Sequence, residues 1–190
     1  MDFEVEEEKE DVLKLKLTDS NEAVANGLRR VMMTQVDTLA TDHLEIMKNE
    51  SSLFDEMLAH RIGQVPFTIP QNVDEDDAVH IAVTQEGPGK VHASDIKTDN
   101  EESEPVNPDT VIATLKEGQR VEVEGEAKLR KGFEHAKHQG GTIGYEKTDE
   151  GDFLFRIEST SGYTNKELLN AALEEFESQL EEFEGAVEEL

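Results

Sequence analysis

Between residues 165 and 190 the apolar side chains Leu169, Leu173, Phe176, Leu180, Phe183 and Val187 fall at intervals of 4, 3, 4, 3 and 4. That is a heptad seam, and it commits the last seventh of the chain to a long helix. Nine glutamates from Glu167 to Glu189 cover the other faces, so the seam needs cover. It packs inside the chain, engages a second chain, or does both.

Upstream, the periodicity switches to two. Residues 12–17 (VLKLKL) place Leu13, Leu15 and Leu17 on one face and Lys14 and Lys16 on the other, a half-buried strand. Asp19, Ser20 and Asn21 offer N-caps, with Glu22 spaced from Asp19 as in a capping box. A helix to about Val36 follows, with a stripe of Val24, Leu28, Val31, Met32 and Val36 and the adjacent pair Arg29 and Arg30 on its other face.

A second strand is expected over residues 41–47. A short helix is expected over residues 51–63, ended by Gly63, with Leu53, Met57, Leu58 and Ile62 as its buried side. Residues 68–78 read as a solvated loop around the run DEDD. Strands follow at Val79, Ile81 and Val83, near Val91, and at Val121, Val123, Ala127 and Leu129, with a last one at Phe153, Phe155 and Ile157. No internal repeat is evident.

Charge narrows the function. With 18 Lys and Arg against 45 Asp and Glu, the net charge is −27. Such a surface repels phosphate backbones and disfavours primary nucleic-acid binding. It also repels itself unless salt shortens the Debye length, to about 3 Å at 1 M, which fits the cytoplasm of a salt-adapted organism. Cysteine is absent, which excludes disulfides and thiolate metal sites. No apolar run approaches the roughly 20 residues of a membrane span, and the acidic start MDFEVEEEKE has no signal-peptide h-region. A soluble cytoplasmic protein is expected.

Candidate chemistry is sparse. His135 and His138 have HxxH spacing beside Glu134, but the sequence marks no third ligand. Asp55 and Glu56 are adjacent, so on a helix they do not face each other as an acid/base pair. There is no phosphate loop, dinucleotide fingerprint or nucleophile elbow, so no catalytic residue, cofactor or metal is assigned. Two basic features stand out against the acidic background. Arg29 and Arg30 either drape their stems over the core or offer forked donors to a partner's carboxylate or carbonyl. Arg130, Lys131 and Lys137 cluster in one loop and suit a partner's carboxylates.

Five stretches in order, VANGLRRVMMTQV, SSLFDEMLAHRIGQVPF, EGPGKVHASDIK, LKEGQRVEVEGEAKLRKGFEHAKHQ and FLFRIESTSGYTNKELLNAALEEFESQLEEF, resemble the D-type family of archaeal RNA polymerase subunits. The last is also similar to the end of the amino-terminal domain of the bacterial alpha subunit. The resemblance implies an α+β fold with a discontinuous dimerisation domain, residues 1–37 and 148–190, made of a sheet and two helices. Residues 38–147 would form an inserted, mainly β domain.

It further implies a noncatalytic assembly subunit of DNA-directed RNA polymerase, itself a nucleotidyltransferase complex. The chain would form a heterodimer with a smaller L-like subunit and dock the large catalytic subunits, without direct nucleic-acid or membrane contact. Val24, Leu28 and Val31 with Leu169, Leu173, Phe176, Leu180 and Phe183 would lie at the dimer interface. Arg29, Arg30, Asp55, Glu56, Arg61, Lys131, Gly132, His135 and Lys137 would face the large subunits. Two departures from the family pattern are a short, cysteine-free stretch after VPF, where many members carry an iron–sulfur insertion, and a shortened connection between Tyr145 and Phe153. An acidic adaptor or homodimer outside transcription is the alternative, and a hydrolase built on the two histidines ranks last.

Overall fold

The computed structural model describes residues 1–74 and 77–188. Glu75 and Asp76 of the expected loop and residues 189 and 190 of the expected helix lie outside the described residues. In chain order the first elements are β1 (Asp2–Glu8), β2 (Leu13–Thr18), α1 (Glu22–Thr34), β3 (Asp37–Asn49), α2 (Asp55–Gly63), β4 (Pro66–Phe67) and β5 (Val79–Glu86). Then come β6 (Gly89–His92), β7 (Lys97–Thr98), β8 (Val111–Leu115), β9 (Arg120–Lys131), β10 (Gly141–Lys147), β11 (Phe153–Ser159) and α3 (Asn165–Glu188). Two compact units result, Met1–Asp37 with Lys131–Leu190, and Thr38–Arg130.

In the first unit a four-stranded antiparallel sheet runs β1-β2-β11-β10. Strand parity builds its core directly. Leu13, Leu15 and Leu17 stand opposite Ile157, Phe155 and Phe153 in register, and all six are buried with Ala25, Leu28, Val31 and Met32 of α1 and Leu168 and Ala172 of α3. Tyr145 adds ring contacts to Phe153 and Phe155, at centroid distances of 5.6 and 5.3 Å. On the opposite face Lys14 pairs with Glu7 at 2.5 Å and Lys16 with Asp152 at 2.7 Å. Lys14 and Lys9 hold the Glu7 carboxyl well below its usual range, at about 2.

Three local details differ from the sequence reading. The acidic start forms a strand, β1, whose Phe3 and Val5 pair with Leu17 and Leu15 at the sheet edge. Of the three N-caps offered, Asn21 is the one used, its Oδ1 accepting from the Ala23 and Val24 amides at 2.9 and 3.1 Å, but the expected capping box is absent. Asp19 sits outside the helix in a left-handed turn (φ 49°), so no Asp19–Glu22 capping box forms, and Glu22 instead accepts from Lys147 at 2.5 Å. The helix ends at Thr34, two residues short of Val36.

The second unit is mainly β. Its five-stranded sheet runs β4-β3-β9-β5-β7, and β6 and β8 pair antiparallel as a separate two-stranded sheet. Val79, Ile81, Val83, Val121, Val123, Ala127 and Leu129 join Leu58 and Ile62 of α2 in its core. Met57, expected on the buried side of α2, is 50% exposed, because Leu58 and Ile62, spaced i and i+4, already define the inward face. Residues 51–54 are not helical but form a turn around Asn49, whose Nδ2 donates to the Leu53 carbonyl and whose Oδ1 accepts from Ser51.

The division into an interrupted sheet-and-helix unit and an inserted β unit matches the expected α+β class. The return point differs. The first unit resumes at Lys131 and not at 148, because β10 pairs with β11 along all seven residues and residues 132–140 hydrogen-bond to the end of α1.

Candidate assembly surfaces

α3 is launched by a capping box that the sequence spells as T-x-x-E. The Thr164 amide donates to Glu167 Oε2 (2.8 Å) and the Glu167 amide to Thr164 Oγ1 (3.3 Å). These hydrogen bonds lower the Glu167 pKa. Buried Asn165 ties the helix start to the sheet, accepting from the Ser159 amide at 2.7 Å and donating to the Glu10 carbonyl at 3.3 Å.

From there the helix carries two stripes. Leu168 and Ala172 point into the core and are fully buried. The heptad seam lies one residue over, about 100° around the helix. Its first members Leu169, Leu173 and Phe176 are half-buried against the core. Leu180, Phe183 and Val187 are 55%, 70% and 50% exposed. The seam therefore starts on the chain's own fold and runs off it. Of the α1 residues expected beside it, Leu28 and Val31 are buried inside the unit and Val24 is half-buried at its margin.

Arg29 and Arg30 are adjacent but differently engaged. Arg29 is held by its own helix, donating through Nε and Nη2 to Asn26 Oδ1 (3.3 and 3.2 Å) and through Nη1 to Met33 Sδ (3.1 Å). Arg30 is exposed, and its guanidinium takes no hydrogen bond or ion pair among the described residues.

The loop after β9 reaches this same helix. The end of α1 leaves carbonyls without partners inside the helix, and the loop supplies donors: the Phe133 amide to the Thr34 carbonyl (3.1 Å) and the Gly140 amide to the Met33 carbonyl (3.2 Å). The approach is too close for side chains. A Cβ on Gly132 would lie 2.8 Å from the Met33 carbonyl, and one on Gly140 2.3 Å from that of Met32. The basic loop is thus bonded to the end of the helix that carries the arginine pair, about 100 residues earlier in the chain.

The candidates of the expected basic loop divide. Arg130 and Lys131 are the last two residues of β9, not loop residues, and Lys131 is turned inward, its Nζ 3.2 Å from Glu175 of α3 and 3.9 Å from Asp37, so part of its charge is used at home. His135 is exposed, and its Nδ1 accepts from the Lys137 amide at 3.1 Å. Lys137 is half-buried and His138 buried. The two histidines therefore share no open face, and no group of three or more His, Cys, Asp or Glu among the described residues is arranged to hold a metal. Phe133 is 63% exposed. Sequence reasoning does not single it out, although a lone aromatic in a basic loop is the signal that could have found it.

In the second unit Asp55 and Glu56 are exposed in the first turn of α2, and Asp55 accepts from Asn49 Nδ2 at 2.8 Å. Arg61 Nη1 donates to the Ile112 carbonyl at 2.9 Å, fastening α2 to β8. Phe54 and Met57, neither of them expected at the surface, are 77% and 50% exposed beside these carboxylates. A cleft of about 530 Å³ on this unit is lined by residues that include His43, His80, Lys97, Glu124 and Glu126. No helix among the described residues is long and apolar enough to cross a membrane.

A sheet covered by two helices, interrupted by an inserted β unit and bearing an open helical seam, defines a class of discontinuous α+β proteins. Residues 33–149 match the family model described as the RNA polymerase Rpb3/RpoA insert domain, well over half of the chain, and the chain belongs to that family.

It is similar to the DNA-directed RNA polymerase subunit Rpo3 of Pyrococcus furiosus, 40% identical over 152 residues, which cover 76% of this chain and 58% of the relative. The Rpo3 of Natronomonas pharaonis is 41% identical over 124 residues (65% of this chain, 50% of the relative). That of Thermococcus kodakarensis is 36% identical over 152 residues (76% and 59%). The chain spans between half and three-fifths of the length of these relatives.

Proposed function

We propose that this chain is a noncatalytic assembly subunit of DNA-directed RNA polymerase. It pairs with a smaller L-like subunit through the seam of α3 and then docks the large subunits, in which the nucleotidyl-transfer chemistry resides. The reading places the protein in the cytoplasm. The names of its relatives point to the polymerase. One observation carries the assembly role: Leu180, Phe183 and Val187 continue a heptad seam beyond the chain's own core, where they remain exposed. Solvated apolar side chains in register on a helix gain free energy only when another surface covers them.

In this reading Leu169, Leu173 and Phe176 share the dimer interface at its inner end. Val24 flanks it, while Leu28 and Val31 support it from inside the core. Arg30 and the loop with Gly132, His135 and Lys137 face the large subunits, Arg29 and Lys131 hold that surface in shape, and α2 with Asp55, Glu56 and Arg61 makes a further contact.

Coexpression with an L-like subunit tests the pairing. The double variant Leu180→Glu, Phe183→Glu is expected to melt like the unaltered chain, yet to lose the heterodimer peak in size-exclusion chromatography, because it would bury charge in an apolar seam. An intact heterodimer would move the interface elsewhere. A homodimer of the chain that these changes dissolve, with no L-like partner bound, would favour the adaptor reading.

A further inference from the structure

We propose that Phe133 is the apolar anchor of a surface made by α1 and the loop. Its docking partner is a protein surface with an apolar socket rimmed by carboxylates. The inference rests on the docking reading above and adds to it the residue that carries the affinity and the chemistry of the socket.

Three observations converge on Phe133. The first is exposure without local purpose: its ring is 63% exposed, and hydration of a large aromatic surface gives the isolated fold nothing.

The second is rigidity. The Phe133 amide is bonded to the Thr34 carbonyl at 3.1 Å, the Glu134 amide to the Lys131 carbonyl at 3.0 Å, and Glu134 Oε1 accepts from the Lys131 amide at 3.2 Å. Beyond the ring, His135 caps the next turn through the Lys137 amide, and Gly140 is bonded back to Met33. A side chain presented from a fixed backbone loses little entropy on binding, which is how aromatic hot spots gain their effect.

The third is charge. Residues 130–138 hold three Lys or Arg against one Glu, in a chain with 18 against 45. Arg30 lies one helical turn before Thr34, which anchors the loop, and its guanidinium is unengaged among the described residues. With Lys131 turned inward to Glu175 and Asp37, the outward positive charge on the two elements that carry the ring comes from exposed Arg30 and half-buried Lys137, and it complements an apolar pocket with carboxylates at its edge. Nucleic acid also offers negative charge and bases to stack on, but the surrounding charge of −27 repels phosphate backbones, so a protein surface is favoured.

The experiment titrates the full chain, paired with its small subunit, against the large polymerase subunits of the same organism. Phe133→Ala is expected to weaken association about 30-fold or more, as removal of an interface hot spot does, with an unchanged melting midpoint. Phe133→Leu, which keeps apolar volume, is expected to restore most of the affinity. If Phe133→Ala binds within about threefold of the unaltered chain while Arg30→Glu blocks assembly, the anchor is overturned and the docking reading survives. Full assembly by both variants would overturn both. Mixed-sequence single-stranded DNA, titrated at the same salt, separates the other source of negative charge. Binding that Phe133→Ala abolishes, with protein assembly intact, would make the ring a base-stacking platform and overturn the proposal.

Discussion

The two halves of α3 follow one sequence pattern and meet opposite surroundings. In the first half Leu168 and Ala172 are sealed against the sheet, and Leu169, Leu173 and Phe176 lie half-covered beside them. In the second half Leu180, Phe183 and Val187 keep the same heptad spacing but meet solvent, while Glu177, Glu181, Glu182, Glu184 and Glu188 surround them. Burial holds the first half in place. The second half has helix propensity and the continuity of the helix behind it, and its apolar line is left exposed. A heptad therefore specifies a helix with an apolar line, and the fold it packs on decides how much of that line is buried.

Substitutions at the two ends should separate accordingly. Leu168→Ala removes a fully buried side chain and is expected to cost about 2–5 kcal/mol, seen in a thermal melt as a drop of roughly 4–20 °C. Phe183→Ala should change the melt of the isolated chain by no more than about 0.5 kcal/mol while weakening the heterodimer. Equal destabilisation by the two would mean that the distal half is packed within the chain. Leu173→Glu and Phe176→Glu should damage both fold and pairing, since the Phe176 ring lies 3.2 Å from where a Cβ on Gly27 would stand.

A second contrast, between two neighbouring arginines, predicts an effect on assembly alone. Removing a partnered interface charge costs roughly 2–5 kcal/mol, about 30-fold or more in affinity. Arg30→Glu is therefore expected to leave the heterodimer intact and block attachment of the large subunits on a native gel. Arg29→Glu should weaken attachment less, because Arg29 is already engaged by Asn26 and Met33. A stronger effect from Arg29 would place the docking face on the other side of α1.

The smallest effect concerns salt. At low ionic strength the glutamates of the distal half repel one another, and the Debye length of about 10 Å at 0.1 M leaves that repulsion largely unscreened. Raising KCl toward 1 M should raise the melting midpoint and slow amide exchange more in residues 177–188 than in residues 165–176. Exchange slowed equally along α3 would remove the distinction between its halves.

Much of the fold was legible because strand parity is simple to read. The alternations at Leu13, Leu15, Leu17 and at Phe153, Phe155, Ile157 fix two central strands and the face each buries. The seam of α3 was legible too, but the stripe facing the sheet was not. Leu168, Leu169, Ala171, Ala172 and Leu173 are all apolar, so periodicity cannot choose between two faces about 100° apart. β1 was hidden by glutamates that an edge strand tolerates and even uses against unwanted pairing. β10 went unassigned, and with it the point at which the first unit resumes. In the candidate site, charge made Arg29, Arg30 and the basic loop visible one by one. Their union depends on amides of Phe133 and Gly140 meeting the end of α1, a contact across about 100 residues that no local pattern encodes. Met57 was read as buried because it lies next to Leu58, and Phe54 and Phe133 were not singled out because a lone apolar residue in a short segment has no periodicity to place it.

Affinity purification of the tagged full chain from its native cells tests the assembly account most directly. The account predicts that an L-like subunit and the large polymerase subunits copurify in equal proportion with the chain, and that the large subunits alone disappear with Arg30→Glu. Recovery of the chain by itself, as a homodimer or with proteins unrelated to transcription would contradict it.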